Sequence, residues 1–319
     1  MIERQLSLAE ALMDPRLGVN ARLQAISKVI DWTPLERLAQ TIHPGETGRP
    51  PYPAGAMIRA LYLQMLYGLS DPGLEEALAD RLSFRRFCGF GLDEGAPDET
   101  TICRFRIAAA RMGVLEACFQ EVNRQLDAKG LILRKGTLID ATLIAAASRK
   151  PGHKAGKAAR RAREPGASWT RKGGKSHFGY RLHVGADQEH VLVRTVRLTP
   201  AHVGESPVAE VLICGDEKAV YGDKGYEHKG RRRRLKAKGV KDRICHRADK
   251  HNPVLPPWQV KRNKAIAKRR APVEQVFGSA KRLFGYVRAR STDFAVNLGQ
   301  AFCFATVFNL RRAAGVLVT

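Results

Sequence analysis

Residues 137–145 read TLIDATLIA, a short apolar and β-branched run broken by one aspartate, Asp140. Its length and composition predict a β-strand, and it marks the point, near residue 131, where the apolar period changes. Downstream, HFGYRLHVGAD (177–187) alternates, with Phe178, Tyr180, Leu182 and Val184 on one face. It turns at 186–189 into HVLVRTVRL (190–198), so the two segments predict a β-hairpin. Val208–Ile213 reads as a short helix, and AVYGD (219–223) and VKDRICH (240–246) as two further strands. From Pro272 the pattern is helical again, and the segment 294–312, apolar on most sides, predicts a helix buried against the sheet.

Upstream the spacing is helical throughout. Residues 1–45 are punctuated by Pro15, Pro34 and Pro44, and GETGRPPYP (45–53) reads as a loop or linker. Ala54, Met57, Ile58, Leu61 and Met65 then recur at helical spacing; Ser70-Asp71 precedes a second helix carrying Leu74, Ala77, Leu78 and Leu82. Asp98 is placed to cap a helix through Arg111, and Gly113 separates it from Val114, Leu115, Cys118, Phe119, Val122 and Leu126. The expected fold is α/β, a mixed five-stranded sheet with flanking helices, preceded by an all-helical N-terminal region. The expected division is a helical arm over 1–45, a helical domain over 46–130 and the sheet domain over 131–319, in keeping with a soft prior of ~150 residues per domain.

Composition narrows the function. The 319 residues hold 55 Lys+Arg against 31 Asp+Glu, a formal charge of +24 and a pI near 10.3. That excess sits in three segments: 149–175, 229–250 and 261–290 carry 10, 11 and 10 basic residues, and in the third the only acid is Glu274. Three such runs in the C-terminal two-thirds point to a polyanionic partner, nucleic acid above all. No stretch offers the ~18 uninterrupted apolar residues of a membrane span. The first residues, MIERQLSLAEALMDPRL, have no apolar core like a secretory signal, so the expected location is the cytoplasm. Six separated cysteines without a C-x-x-C pair suggest neither a zinc ribbon nor a disulfide framework.

Acids in apolar surroundings are informative, because burying a carboxylate is costly unless it is paired or metal-bound. Asp140 lies inside a strand, Asp223 ends another, and Glu274 lies on a helix able to cross the strand ends. Each has an ordinary alternative: Asp140 begins a turn, Asp223-Lys224-Gly225 is a turn, Glu274 pairs with Arg270. As a set they suit two divalent ions, roughly 3.5–4 Å apart, clamping the two oxygens of a phosphodiester displacement. Oxygen donors favour Mg²⁺, with Mn²⁺ expected to substitute, and no H-E-x-x-H or Cys/His pairing favours zinc.

With these residues in view the chain resembles the DDE transposases of bacterial insertion sequences, in their IS-five-like branch. The resemblance runs through LSDPGLEEALADRLSFRRFCGFGL (69–92), PDETTICRFR (97–106), LIDATLIAA (138–146) and VYGDKGY (220–226). The family's third motif, Y-x2-R-x3-E-x6-K, is matched by Arg270, Glu274 and Lys281, with Ala267 where the motif has tyrosine. On an ideal helix these three project within about 40° of one another. The resemblance implies an RNase H-like core, a helical domain for DNA binding and dimerisation, and Asp140, Asp223 and Glu274 as metal-binding catalytic acids. It also implies metal-dependent strand cleavage and transfer, double-stranded terminal inverted repeats and target DNA as partners, a homodimer in the DNA complex and a nucleoid-associated enzyme.

Other DNA contacts are open. Arg231, Arg232, Arg233 and Arg234 follow the second aspartate and either meet phosphates or form a solvated loop. Residues 149–175 read as a loop that orders on DNA. PDETTICRFR either serves as a helix-turn-helix recognition helix, with Thr100, Thr101 and Arg104 toward DNA, or packs its length into the core through Ile102 and Phe105. Two functional alternatives also remain: an inactive DNA-binding repressor derived from a transposase, and a structure-specific nuclease on the same core.

Overall fold

Asn20 and Asp98 each accept a backbone N–H three residues on, and caps of this kind set where the N-terminal helices begin. The computed structural model describes residues 16–42, 51–148, 164–248 and 253–318. Seven helices lead the described chain: α1 (Ala21–Val29), α2 (Thr33–Ala39), α3 (Ala54–Tyr67), α4 (Asp71–Asp80), α5 (Leu82–Cys88), α6 (Glu99–Arg111) and α7 (Val114–Ala128). Ser70 caps α4 through Gly73 N–H, as its position predicts. The single helix expected to carry Leu74 through Leu82 is instead two, broken at Arg81, whose backbone is extended.

The second half is a mixed sheet. Its strands are β1 (Thr137–Ala145), β2 (Ser168–Lys172), β3 (Lys175–Asp187), β4 (Val193–Pro200), β5 (Ala219–Gly222) and β6 (Lys241–Ile244). β1 and β4 flank β3 antiparallel, while β5 pairs parallel with β1 and β6 parallel with β5. Five of these strands are those expected from the sequence. The sixth is β2, a hairpin partner of the first residues of β3 joined through Gly173-Gly174, both at positive φ. It corrects the reading of 149–175 as loop throughout; residues 149–163 lie outside the described residues.

Four further helices complete the layers: α8 (Glu205–Leu212), α9 (Lys229–Ala237), α10 (Pro257–Arg270) and α11 (Glu274–Arg282), before the long α12 (Phe294–Val318). α10 was not expected, because its only buried residue is Ile266 and its basic surface leaves no apolar period to read. A 3₁₀ turn, Ala271–Val273, separates α10 from α11, so Arg270 and Glu274 do not share one straight helix.

One continuous core binds helices and sheet together. It runs from Leu23 through α3, α6 and α7 to Leu138, Tyr180, Leu182 and Val184 of the sheet, and to Phe304 and Phe308 of α12. α12 touches α1, α3, α6, α7 and β4. No helix among the described residues is long and apolar enough to cross a membrane. A smaller cluster on the opposite face, including Ile139, Val220, Tyr226 and Leu235, packs α8 and α9 onto the strands.

Asn309, fully buried in α12, joins the two regions. Its Oδ1 accepts from Val193 N at 2.7 Å, and its Nδ2 donates to Val193 O at 2.7 Å and to Asn123 Oδ1 at 2.8 Å. Asn309→Leu fills the same volume but strands those groups in an apolar interior, so stability should fall by about 2–3 kcal/mol. Urea unfolding measures this directly; an unchanged midpoint would show that α12 is held by its apolar surface alone.

Candidate active site

The register of two parallel strands brings the aspartates together. Leu138 pairs with Tyr221, so Asp140 and Asp223, each two residues farther on, stand at the same level of neighbouring strands. Such strands run about 4.8 Å apart. Asp140 lies well inside β1, opposite Val184 of β3. Asp223 follows the last residue of β5 and caps the 3₁₀ turn Lys224–Tyr226, accepting from Gly225 N at 2.8 Å.

Asp140 is half-tied. Its Oδ1 accepts from Ala141 N at 2.8 Å, and its Oδ2 pairs with Arg270 Nη1 at 2.5 Å, both side chains less than one-fifth exposed. Arg270 was weighed as the partner of Glu274; in the fold it belongs to Asp140. Burial pushes the Asp140 carboxyl up, with the charge of Asp223 adding to it, against the opposing pull of Arg270 and Ala141 N–H.

A further acid, which the sequence reading missed, joins the pair. Glu205 is the first residue of α8 and binds Arg181 of β3, Oε1 to Nη1 at 2.9 Å. Its carboxyl is pushed up by burial and then by Asp223, with Asp140 contributing, while Arg181 and Lys172 pull it down. Tyr226, fully buried, is raised by burial and by Glu205, Asp140 and Asp223. An acid opening a short helix favours the helix dipole anyway, so nothing in GESPVAEV distinguished Glu205 from an ordinary first-turn residue.

Residues 133–310 match the family model described as Transposase DDE domain, and residues 12–108 match Transposase domain (DUF772). The chain belongs to the DDE transposases. No solved structure matches it. Members of this family act on DNA and use divalent metal ions, and the sheet with its flanking helices is consistent with the RNase H-like fold.

The donor set of this transposase fits such ions. Asp140, Asp223 and Glu205 offer hard carboxylate oxygens, crowded enough that their charges oppose one another. Glu274 begins α11 directly after the turn that packs on β1; it is exposed and holds no ion pair among the described residues. Lys281 is exposed on the same helix.

Of the two readings of the arginine run, phosphate contacts or a solvated loop, the loop is excluded because the run is helical. Arg231–Arg234 lie in α9, and Arg231 is buried, bonded to Glu210 and to the carbonyls of Tyr226 and Ser206. Arg234 also pairs with Glu210, and Arg232 with Asp242 and Glu227. Arg231 is therefore structural, with no surface to offer DNA, and Arg233 alone of the four is exposed without an ion pair among the described residues. In α6, Thr100 and Arg104 are exposed while Ile102 and Ala109 are buried, so this helix packs along one side only.

A carboxyl raised by its fold weakens the fold once ionised: its contribution is full below the unfolded pKa and is lost as pH rises through the folded one. Metal-free Asp140→Asn should therefore be at least as stable as the parent at about pH 7.5. That advantage should shrink as the pH falls toward ~4. Thermal unfolding in EDTA at both values checks it; a variant destabilised at the higher pH would show that the pair with Arg270 outweighs the cost of holding the Asp140 charge out of water.

Proposed function

We propose that this transposase, of the IS-five-like branch, binds the terminal inverted repeats of an insertion sequence as a homodimer and cuts and joins DNA strands with Asp140, Asp223 and Glu274. These acids would hold two Mg²⁺ ions, with Mn²⁺ able to replace them. The observation that carries the reading is the strand register that sets Asp140, inside β1, beside Asp223, just past the end of β5. When bound, paired divalent ions stabilise the charge on the attacking and leaving oxygens of a phosphodiester displacement.

The chain's own residues supply position. Arg270 neutralises Asp140, and with a cation on that carboxylate its guanidinium would be free to meet a phosphate beside the acids. Lys281, two turns beyond Glu274, offers a second backbone contact. Arg233, Arg232 and Arg234 on α9, and the basic surface of α10, extend the phosphate-binding face. In the helical domain over 46–130, Arg104, with Thr100 and Thr101, is the proposed contact to the terminal repeats. The neighbouring aspartates weigh against an inactive repressor, which has no use for two half-buried acids side by side.

Asp140→Ala, Asp223→Ala and Glu274→Ala should each abolish metal-dependent cleavage of terminal-repeat DNA while leaving DNA binding largely intact. The expected loss is about a thousandfold, ~4 kcal/mol of transition-state stabilisation. Near-normal cleavage by one variant removes that residue from the site.

Arg270→Ala and Lys281→Ala should behave differently from general phosphate contacts. Many basic residues share the binding energy, whereas placement of the scissile phosphate depends on few. At saturating DNA the cleavage rate should fall ~10-fold or more with affinity nearly unchanged. Parallel losses in rate and affinity would demote both residues to backbone contacts.

A further inference from the structure

We infer that Glu205 is a fourth carboxylate of the metal site, an acidic ligand that shares a divalent cation with Asp223. The inference rests on the proposed metal-dependent function and adds to it a residue outside the three motif acids.

Gly225 fixes the geometry. A Cβ built on it would lie 2.3 Å from Glu205 Oε2 and 3.0 Å from Asp223 Oδ1, so those two oxygens are separated by no more than the sum of these distances. They come from different elements, the start of α8 and the end of β5, and meet over a residue without a side chain. Arg181 engages the other oxygen, Oε1, leaving Oε2 toward Asp223. The group as a whole sets three carboxylates, Asp140, Asp223 and Glu205, against two guanidinium groups, Arg181 and Arg270. That leaves one negative charge over among groups largely out of water, which a bound cation would balance.

A second observation points the same way. The Tyr226 hydroxyl is buried, has no hydrogen-bond partner among the described residues, and lies in the field of Glu205, Asp140 and Asp223. Buried hydroxyls are almost always satisfied, and an ion with its coordinated water beside these acids would provide the missing partner.

The competing role for Glu205 is structural: an ion pair with Arg181 that seats α8 on β3. Mn²⁺ binding to the full-length, DNA-free protein separates the two, read by the paramagnetic resonance of free Mn²⁺ and by the Mn²⁺-induced rise in Tm. Parent protein should bind, and Asp223→Asn should lose binding. Glu205→Gln should weaken it ~10-fold or more and lose the rise in Tm, with a metal-free Tm equal to or above the parent's. Arg181→Met, which removes a cation competing for Glu205, should tighten Mn²⁺ binding. Parent-like Mn²⁺ affinity in Glu205→Gln beside a loss in Asp223→Asn would overturn the inference and leave the proposed function standing. Equal binding by parent and Asp223→Asn would overturn both. Should Glu205→Gln not fold, Arg181→Met decides alone: tighter binding supports the ligand role, and unchanged or weaker binding assigns Glu205 to the ion pair.

Discussion

A carboxylate inside the central strand of a sheet is the constraint on which this molecule turns. β1 has a neighbour on each side and Asp140 pairs with Val184 of β3, so it cannot drift to solvent without unzipping that ladder. Its charge must be answered in place, and the answer is Arg270, delivered from the end of α10. The same contact draws the 3₁₀ turn onto β1 and thereby sets where α11, with Glu274 and Lys281, begins. One half-buried acid thus fastens the end of α10, which buries only Ile266, while α11 is also held by its own buried Val276 and Ala280.

The other end of the chain supplies the rigidity. α12 runs through the molecule as a shared core element, touching helices from both ends of the N-terminal region as well as β4. Its buried Asn309 bonds both Asn123 of α7 and the backbone of β4, so helices and sheet are fastened by directional contacts as well as by apolar area. For a protein proposed to grip DNA with one region and cut it with another, a common core keeps the two in fixed relation without relying on a linker.

Much of this was legible from residues. The strand alternation of 177–187, the aspartate within TLIDATLIA and the caps at Ser70 and Asp98 are local features, and local features survive folding. Three things were not legible, each for a physical reason. α10 lacks an apolar period, since ion pairs and hydrogen bonds rather than burial attach it. The Arg231–Arg234 run reads as surface, because nothing in the sequence tells that Glu210 and two carbonyls wait for Arg231. Glu205 joins the aspartates only through the crossing of α8 over the strands, a tertiary fact with no signature in its own segment.

The central claim is that Asp140 and Asp223 together hold the catalytic cation and that Arg270 substitutes for it in its absence. The most direct test is a structure of the transposase with terminal-repeat DNA and Mn²⁺, located by its anomalous scattering. The account predicts an Mn²⁺ peak between the two aspartates, with the Arg270 guanidinium moved from Asp140 to the DNA backbone. A peak away from both aspartates, with Arg270 still on Asp140, would contradict it.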